Sequence, residues 1–300
     1  VKRPRLYASE KVMAKPIIVT GATGKLGRHT VESLLGKVPP SEIVLAVRHA
    51  EKVSDFAKRG VSVRHADYDR PETLTAAFAG GGKLAFISAS EVGRRIPQHQ
   101  AVIAAAKTAG IELVAYTSIL HCDRSGLALA REHQETERAI VAAGLPHVFL
   151  RNGWYFENYT ERLAPVLANG AFIGSAGSGH IAAASRADYA EALARVVTSS
   201  HHPKSYELAG DVPFTMSELA AEVSRQTGKT IGYQNLPPDK YSEILVSVGL
   251  SHAYASALAD SDSGITRGEL DDRSGDLHRL IGRATTTLAT AVERGLATTH

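Results

Sequence analysis

A chain of 300 residues with 44% hydrophobic and 22% charged side chains has the composition of an ordinary folded protein, which excludes disorder, collagen and coiled coil. No apolar run approaches the roughly 18–20 residues that cross a bilayer, and no apolar stretch follows the charged N-terminus, so neither membrane insertion nor export is expected and a cytoplasmic location is the default. The formal charge of +3 is carried by the first twelve residues, where Lys2, Arg3, Arg5 and Lys11 face only Glu10; the balanced remainder offers no basic stripe for nucleic acid.

Residues 1–12 read as a tail or upstream extension. From Pro16 onward, β-rich runs at 17–20, 43–47, 61–65, 84–88, 113–117 and 147–151 alternate with helical patterns at 25–35, 51–58, 72–79, 95–109 and 126–143, the last with Ser125 as its predicted N-cap. Such alternation predicts an α/β fold: a Rossmann-type, doubly wound parallel sheet over residues 13–152. Beyond Asn152 the regularity weakens into an aromatic segment, a Gly/Ser-rich stretch, helices near 186–199 and 217–227, and a strand-like run at 205–208. Residues 153–300 are therefore expected to form a smaller α/β substrate lobe, from which the chain returns to the first domain.

The first strand runs directly into Thr20-Gly21-Ala22-Thr23-Gly24-Lys25-Leu26-Gly27, which opens the first helix. Glycines placed between strand and helix allow a tight turn, close approach of a pyrophosphate to the helix N-terminus, and close helix–sheet packing. The residue ending the second strand selects the dinucleotide, because an acid there bonds the ribose 2′-hydroxyl and an arginine accommodates a 2′-phosphate. Here it is Arg48, with Lys52 four residues on, so NADP(H) is expected to be preferred and NAD(H) to remain usable. Asp67 and Tyr68 after the third strand are placed beside the adenine, and the small residues Ser88, Ala89 and Ser90 after the fourth line the path of the cofactor.

With these residues in view, the chain resembles the atypical short-chain dehydrogenase/reductases of the NmrA-like group, particularly NAD(P)H:quinone oxidoreductases and triphenylmethane reductases. The resemblance rests on the glycine turn, Val47-Arg48, His65-Ala66-Asp67-Tyr68, Ala115-Tyr116-Thr117, His133 through Glu137, Leu150-Arg151-Asn152 and Tyr206-Glu207-Leu208. It implies that Tyr116, Thr117 and Asn152 also belong to the cofactor side. Typical members of the wider superfamily carry a catalytic Tyr-x-x-x-Lys, but the only such pair here is Tyr7 with Lys11, ahead of the first strand. Leu129 and His133 stand where that motif is expected.

A missing proton donor restricts the acceptor. Hydride addition to a simple ketone makes a strongly basic alkoxide that needs an adjacent acid. A quinone gives a phenolate-like hydroquinone anion, whose conjugate acid has a pKa of about 10, and a cationic dye needs no proton. The expected function is hydride transfer from NAD(P)H to a quinone or similar electron-poor aromatic, without flavin or metal, with oxygen-dependent hydroxylation of an aromatic as a further outcome. His133 and Ser118 are the expected hydrogen-bond donors to the acceptor, and Trp154, Tyr155, Asn158 and Tyr159 its expected aromatic and polar wall. The thirteen histidines are scattered with no His-Glu-x-x-His, which argues against a metal site. The expected partner is a small aromatic substrate, with the chain acting as monomer or homodimer. Two other functions stay open: a dinucleotide-binding redox sensor of the NmrA type, which the missing motif fits equally well but which the aromatic stretch 154–159 and the resemblance to the reductases do not favour, and a nucleotide-sugar epimerase or dehydratase, which the missing tyrosine weakens.

Overall fold

The structure, a computed structural model, describes residues 15–89, 91 and 93–299; the tail expected at 1–12 and the cofactor residue expected at Ser90 lie outside them. The first half alternates strand and helix: β1 (Ile17–Thr20), α1 (Lys25–Leu35), β2 (Ile43–Val47), α2 (Ser54–Lys58), β3 (Ser62–His65), α3 (Pro71–Phe78), β4 (Lys83–Phe86), α4 (Arg95–Thr108), β5 (Leu113–Ile119), α5 (Ala130–Ala142) and β6 (His147–Asn152). Then follow α6 (Glu157–Thr160), α7 (Leu163–Asn169), β7 (Ala171–Gly174), α8 (Arg186–Thr198), β8 (Ser205–Leu208), α9 (Met216–Thr227), β9 (Gly232–Asn235), α10 (Pro238–Ser247), α11 (His252–Thr266), α12 (Asp276–Ile281) and α13 (Leu288–Ala297).

Seven parallel strands in the order β3-β2-β1-β4-β5-β6-β8 form the main sheet, so the fold is the expected Rossmann-type α/β architecture. The reversal between β1 and β4 opens a crevice at the carboxyl ends of the strands. Strands β1, β2 and β5 are buried throughout, as helix cover on both faces requires. One face carries Val19, Leu45, Ala85 and Ala115 against α1 and α8; the other carries Ile18, Phe86, Val114 and Tyr116 against α3, α4 and α5. Helix α1 reaches its face because Gly27, Thr30, Val31 and Leu34 recur at helical spacing.

Two sequence readings need correction. The strand at 205–208 is not part of the smaller lobe: β8 pairs in parallel with β6, from Phe149–Ser205 to Asn152–Leu208 in register, as the seventh strand of the main sheet. A four-residue strand carries no local mark of which sheet it will join. Helix α5 begins at Ala130, not near Gly126, and Ser125 does not cap it. The amides of Gly126 and Leu127 donate to Glu269 at 2.9 and 3.1 Å, and that of Ala128 to Asp260 at 2.7 Å, so carboxylates distant in sequence take the donors that a longer helix would orient.

The second lobe has the short parallel pair β7–β9 and a separate core in which Phe156, Phe172, Phe214, Leu219 and Val292 meet. Beside it the Asp262 carboxylate accepts from the Ser175 amide at 2.8 Å. Burial raises Asp262 to about 6, above its ordinary 3.8, with the Ser175 amide pulling the other way. The folded state therefore binds this proton more tightly than the unfolded state does, and the stability so gained is lost as pH rises through about 6. Asp262→Asn keeps an acceptor for Ser175 and cannot ionise. Thermal melts across pH should show the variant more stable than the parent by on the order of 1–3 kcal/mol above about pH 7, the difference closing below about pH 4; parallel profiles would refute this.

Candidate dinucleotide and acceptor site

A cavity of about 480 Å³ occupies the crevice at the sheet's carboxyl edge. Its floor is the glycine turn. Gly21 has φ +64°, and the Gly24 amide donates to the Gly21 carbonyl at 3.0 Å to close the turn. A Cβ on Gly27 would lie 2.2 Å from the Gly21 oxygen, so helix and turn meet at a distance only glycine permits. Gly24 caps α1 without any side-chain hydrogen bond, which leaves the helix's first amides available to an anion. These features fit a dinucleotide pyrophosphate.

Of the turn residues expected to bind the cofactor, Gly21, Thr23, Gly24, Lys25, Leu26 and Gly27 line the cavity. Thr20 and Ala22 are buried beneath it. The Thr20 hydroxyl accepts from the Ile87 amide at 3.2 Å, and that of Thr117 from the Ser88 amide at 2.9 Å; these two hold the β4 end in place without facing the cavity.

Arg48 and Lys52 line the outer end and are exposed, and among the described residues the Arg48 side chain has no hydrogen-bond or ion-pair partner. Asp67, Tyr68, Ser88 and Ala89 also line the cavity. Asp67 has a second task, since its carboxylate accepts from the Asp69 amide at 3.1 Å and so closes the turn after β3. The hydroxyl of Tyr68 is pushed up to about 12 by burial.

Under the inner end, the expected donors take a different arrangement. Tyr116 and His133 face each other between the sheet and α4/α5, with Tyr116 Oη 2.8 Å from His133 Nδ1, and neither lines the cavity. Arg95 Nη1 lies 3.3 Å from His133 Nε2. A guanidinium only donates, so Nε2 is the acceptor and Nδ1 carries the proton toward Tyr116. Burial first, then Arg95 and His99, hold the His133 imidazole well below its usual pKa. His133 is thus a neutral, buried acceptor with both nitrogens engaged, which corrects the expectation that it donates to the acceptor directly. Tyr116 is likewise corrected from cofactor wall to core.

Ser118 is also buried on that side, beside the Cys122 thiol, and its hydroxyl has no partner among the described residues. It does not line the cavity either. Burial pushes Cys122 up to about 12, which keeps this buried thiol protonated at neutral pH.

Arg95, absent from the sequence-based expectations, reaches the cavity although only 7% exposed. Its Nε donates to the Ala89 carbonyl at 2.8 Å, and Glu132 stands 3.5 Å from Nη1. His99 works in parallel: its Nε2 accepts from the Ala89 amide at 3.0 Å, so its Nδ1 donates to Thr136 at 2.9 Å. Burial and Arg95 bring His99 down to about 3. His133 thus meets the Arg95 guanidinium directly, and His99 holds Ala89, whose carbonyl accepts from Arg95. The polar residues Glu132, His133, Thr136 and Glu137 on the buried face of α5 were the available signal.

The aromatic wall is divided. Tyr155 lines the cavity with Arg186, whose guanidinium lies 5.2 Å over the ring. Trp154 and Tyr159 instead pack against the second lobe's core, and Asn158 accepts from Arg186 at 3.3 Å. None of these three lines this cavity: Trp154 and Tyr159 pack on the second lobe's core, and Asn158 is held by Arg186 at the start of α8. Asn152, at the end of β6, is buried with both amide atoms unpartnered among the described residues. Nor do those residues contain a cluster of three or more metal-ligating side chains.

The NmrA-like family pattern matches residues 13–271. The chain belongs to the NmrA-like family. This NmrA-like chain is 51% identical to quinone oxidoreductase 2 of Escherichia coli (strain K12) over 277 residues, 92% of this chain and 97% of that one. The crystal structure of the Escherichia coli NADPH-dependent quinone oxidoreductase QOR2 complexed with NADPH matches it with TM-score 0.90 and 50% identity, covering 93% of this chain and 99% of that one. Citrobacter sp. triphenylmethane reductase complexed with NADP(H) gives TM-score 0.89 and 39% identity over 93% and 99% of the two chains.

Proposed function

We propose that this NmrA-like protein is an NADPH-dependent oxidoreductase that reduces a quinone or similarly electron-poor aromatic. The observation that carries the reading is the cavity itself, with a glycine turn built for a pyrophosphate and Arg48 and Lys52 at the strand end where a 2′-phosphate lies. Half-identity to a quinone oxidoreductase across nearly the whole of both chains supports the same reaction class.

NADPH, when bound, supplies the hydride. The chain's own part is to seat the dinucleotide on Gly21–Gly27, to fix its adenine end with Arg48, Lys52 and Tyr68, and to hold cationic charge near the acceptor. Arg95 is the group for that last task, because it reaches the cavity, cannot lose its proton, and stabilises an oxyanion without transferring a proton to it. An anion with a conjugate acid of pKa about 10 then takes its proton from solvent. His133 is a positioning residue that holds Arg95.

Arg95→Met is expected to lower turnover about 100-fold with the NADPH dissociation constant little changed. His133→Asn should lower it less, about tenfold. Because His133 stays neutral, turnover in the parent should show no inflection near pH 6.5. A rise in NADPH dissociation constant matching the loss of turnover in Arg95→Met would move Arg95 to the cofactor.

The function is tested by loss of reduced-nicotinamide absorbance with a panel of benzo-, naphtho- and anthraquinones and no added flavin, under nitrogen and in air. Turnover in both atmospheres supports the reductase. Extra oxygen consumption with hydroxylated product extends it to oxygen-dependent aromatic hydroxylation, and tight NADPH binding with no acceptor reduced favours a redox sensor.

A further inference from the structure

Lys25 and Arg186 come from different parts of the chain, the start of α1 and the start of α8, yet both line the cavity. One carboxylate joins them. Glu161, just past α6, places Oε1 2.8 Å from Arg186 Nη1 and its other oxygen on Lys25 Nζ. Arg186 is otherwise fixed from three sides: over the Tyr155 ring, on Asn158, and through its backbone amide on Glu157 at 2.9 Å. Its side chain is only 13% exposed, and Arg186 lines the cavity while its guanidinium is held on Glu161.

Lys25 is the first residue of α1, whose first helical amides lack a side-chain partner, and Glu161 ties Arg186 to it. A bridging carboxylate between two cations beside such a helix end imitates the ligand that the place is built for, a doubly charged pyrophosphate.

We propose that Arg186, together with Lys25, forms the cationic seat of the dinucleotide's pyrophosphate, and that Glu161 fills this seat as a built-in competitor until the dinucleotide displaces it. The proposal rests on the dinucleotide reading of the cavity. Binding exchanges one bridging carboxylate for the pyrophosphate on the same two cations, so the affinity measured for the cofactor is reduced by whatever the Glu161 contacts contribute. Exposed ion pairs contribute little each, and the Lys25 end is well exposed, so the expected reduction is modest.

Because NADPH and NADH share the pyrophosphate, the effect must be common to both. This separates it from Arg48, which reads only the 2′-phosphate.

The test is the dissociation constants of NADPH and NADH for the full chain, followed by nicotinamide fluorescence at low and high salt, in the parent, Glu161→Gln and Arg186→Gln. Glu161→Gln should tighten both nucleotides by the same factor, about three- to tenfold at low salt and less at high salt. Arg186→Gln should weaken both, and adding Glu161→Gln to it should recover less than Glu161→Gln gains alone. Unchanged or weakened binding in Glu161→Gln, or a change confined to NADPH, overturns the proposal while leaving the dinucleotide site intact. Should Glu161→Gln melt well below the parent, Glu161→Ser carries the same comparison, while Lys25→Gln, like Arg186→Gln, should weaken both nucleotides. If the folded parent binds neither nucleotide, the dinucleotide reading fails and the proposal with it.

Discussion

Arg48→Ala is expected to raise the NADPH dissociation constant by about 10- to 150-fold while leaving that of NADH within about threefold. The range follows from one charge-assisted hydrogen bond to a phosphate, worth about 1.5–3 kcal/mol. Two structural facts make Arg48 the residue to change. It directly follows β2, the strand beside β1 on which the glycine turn sits, and its guanidinium is not engaged elsewhere among the described residues. Lys52 keeps part of the phosphate's charge balanced, so Arg48→Ala with Lys52→Ala should lose more NADPH affinity than Arg48→Ala alone. Isothermal titration with the two nucleotides measures both. An equal loss for NADPH and NADH would remove the 2′-phosphate from this end of the cavity and place Arg48 on a part that the nucleotides share.

Gly27→Ala should abolish measurable binding of both nucleotides, a loss of at least about 100-fold, and lower stability by about 1–3 kcal/mol. The added methyl would stand 2.2 Å from the Gly21 oxygen and 2.7 Å from the Ala22 Cα. Both are backbone atoms, so no side chain can rotate away and the turn itself must move. The turn that moves is the one that supplies the pyrophosphate's amides. Gly24→Ala makes a useful contrast, because its Cβ would meet only the Gly21 oxygen, at 3.3 Å, and Gly24 has an ordinary extended conformation. Its effect on thermal stability should be smaller. A Gly27→Ala protein that binds NADPH like the parent would show that the turn is free to adjust.

Much of the dinucleotide end was legible in the sequence because it is local. A four-residue apolar strand, three glycines in eight residues and an arginine at the next strand's end lie within about thirty positions and need no distant partner to be read. Their spacing sets the turn, the turn sets the anion site, and β1 and β2 emerge with the predicted boundaries. Given the reversal of strand order at β1, right-handed βαβ connections put helices on both faces of the sheet.

The acceptor end was legible only in part. His133 was found as a residue in a motif, but its direction depends on α4, forty residues earlier, which brings Arg95 to one of its nitrogens, and on β5, which brings Tyr116 to the other. The same holds for Trp154 and Tyr159, whose aromatic character predicts a wall but not that both rings pack on the second lobe's core.

Sequence alone determined the α/β class, the glycine turn between β1 and α1, the arginine that follows β2, and the lack of a Tyr-x-x-x-Lys beyond the tail. Tertiary structure decided that β8 completes the main sheet, that His133 is buried under the cavity between Arg95 and Tyr116, and that Arg95 and Arg186 join Lys25, Arg48 and Lys52 in lining the cavity. The physical reason is the range over which each is specified. Backbone conformation and strand–helix alternation are set by neighbours in the chain, whereas the direction of a buried polar side chain is set by which partners the packing brings within hydrogen-bond distance.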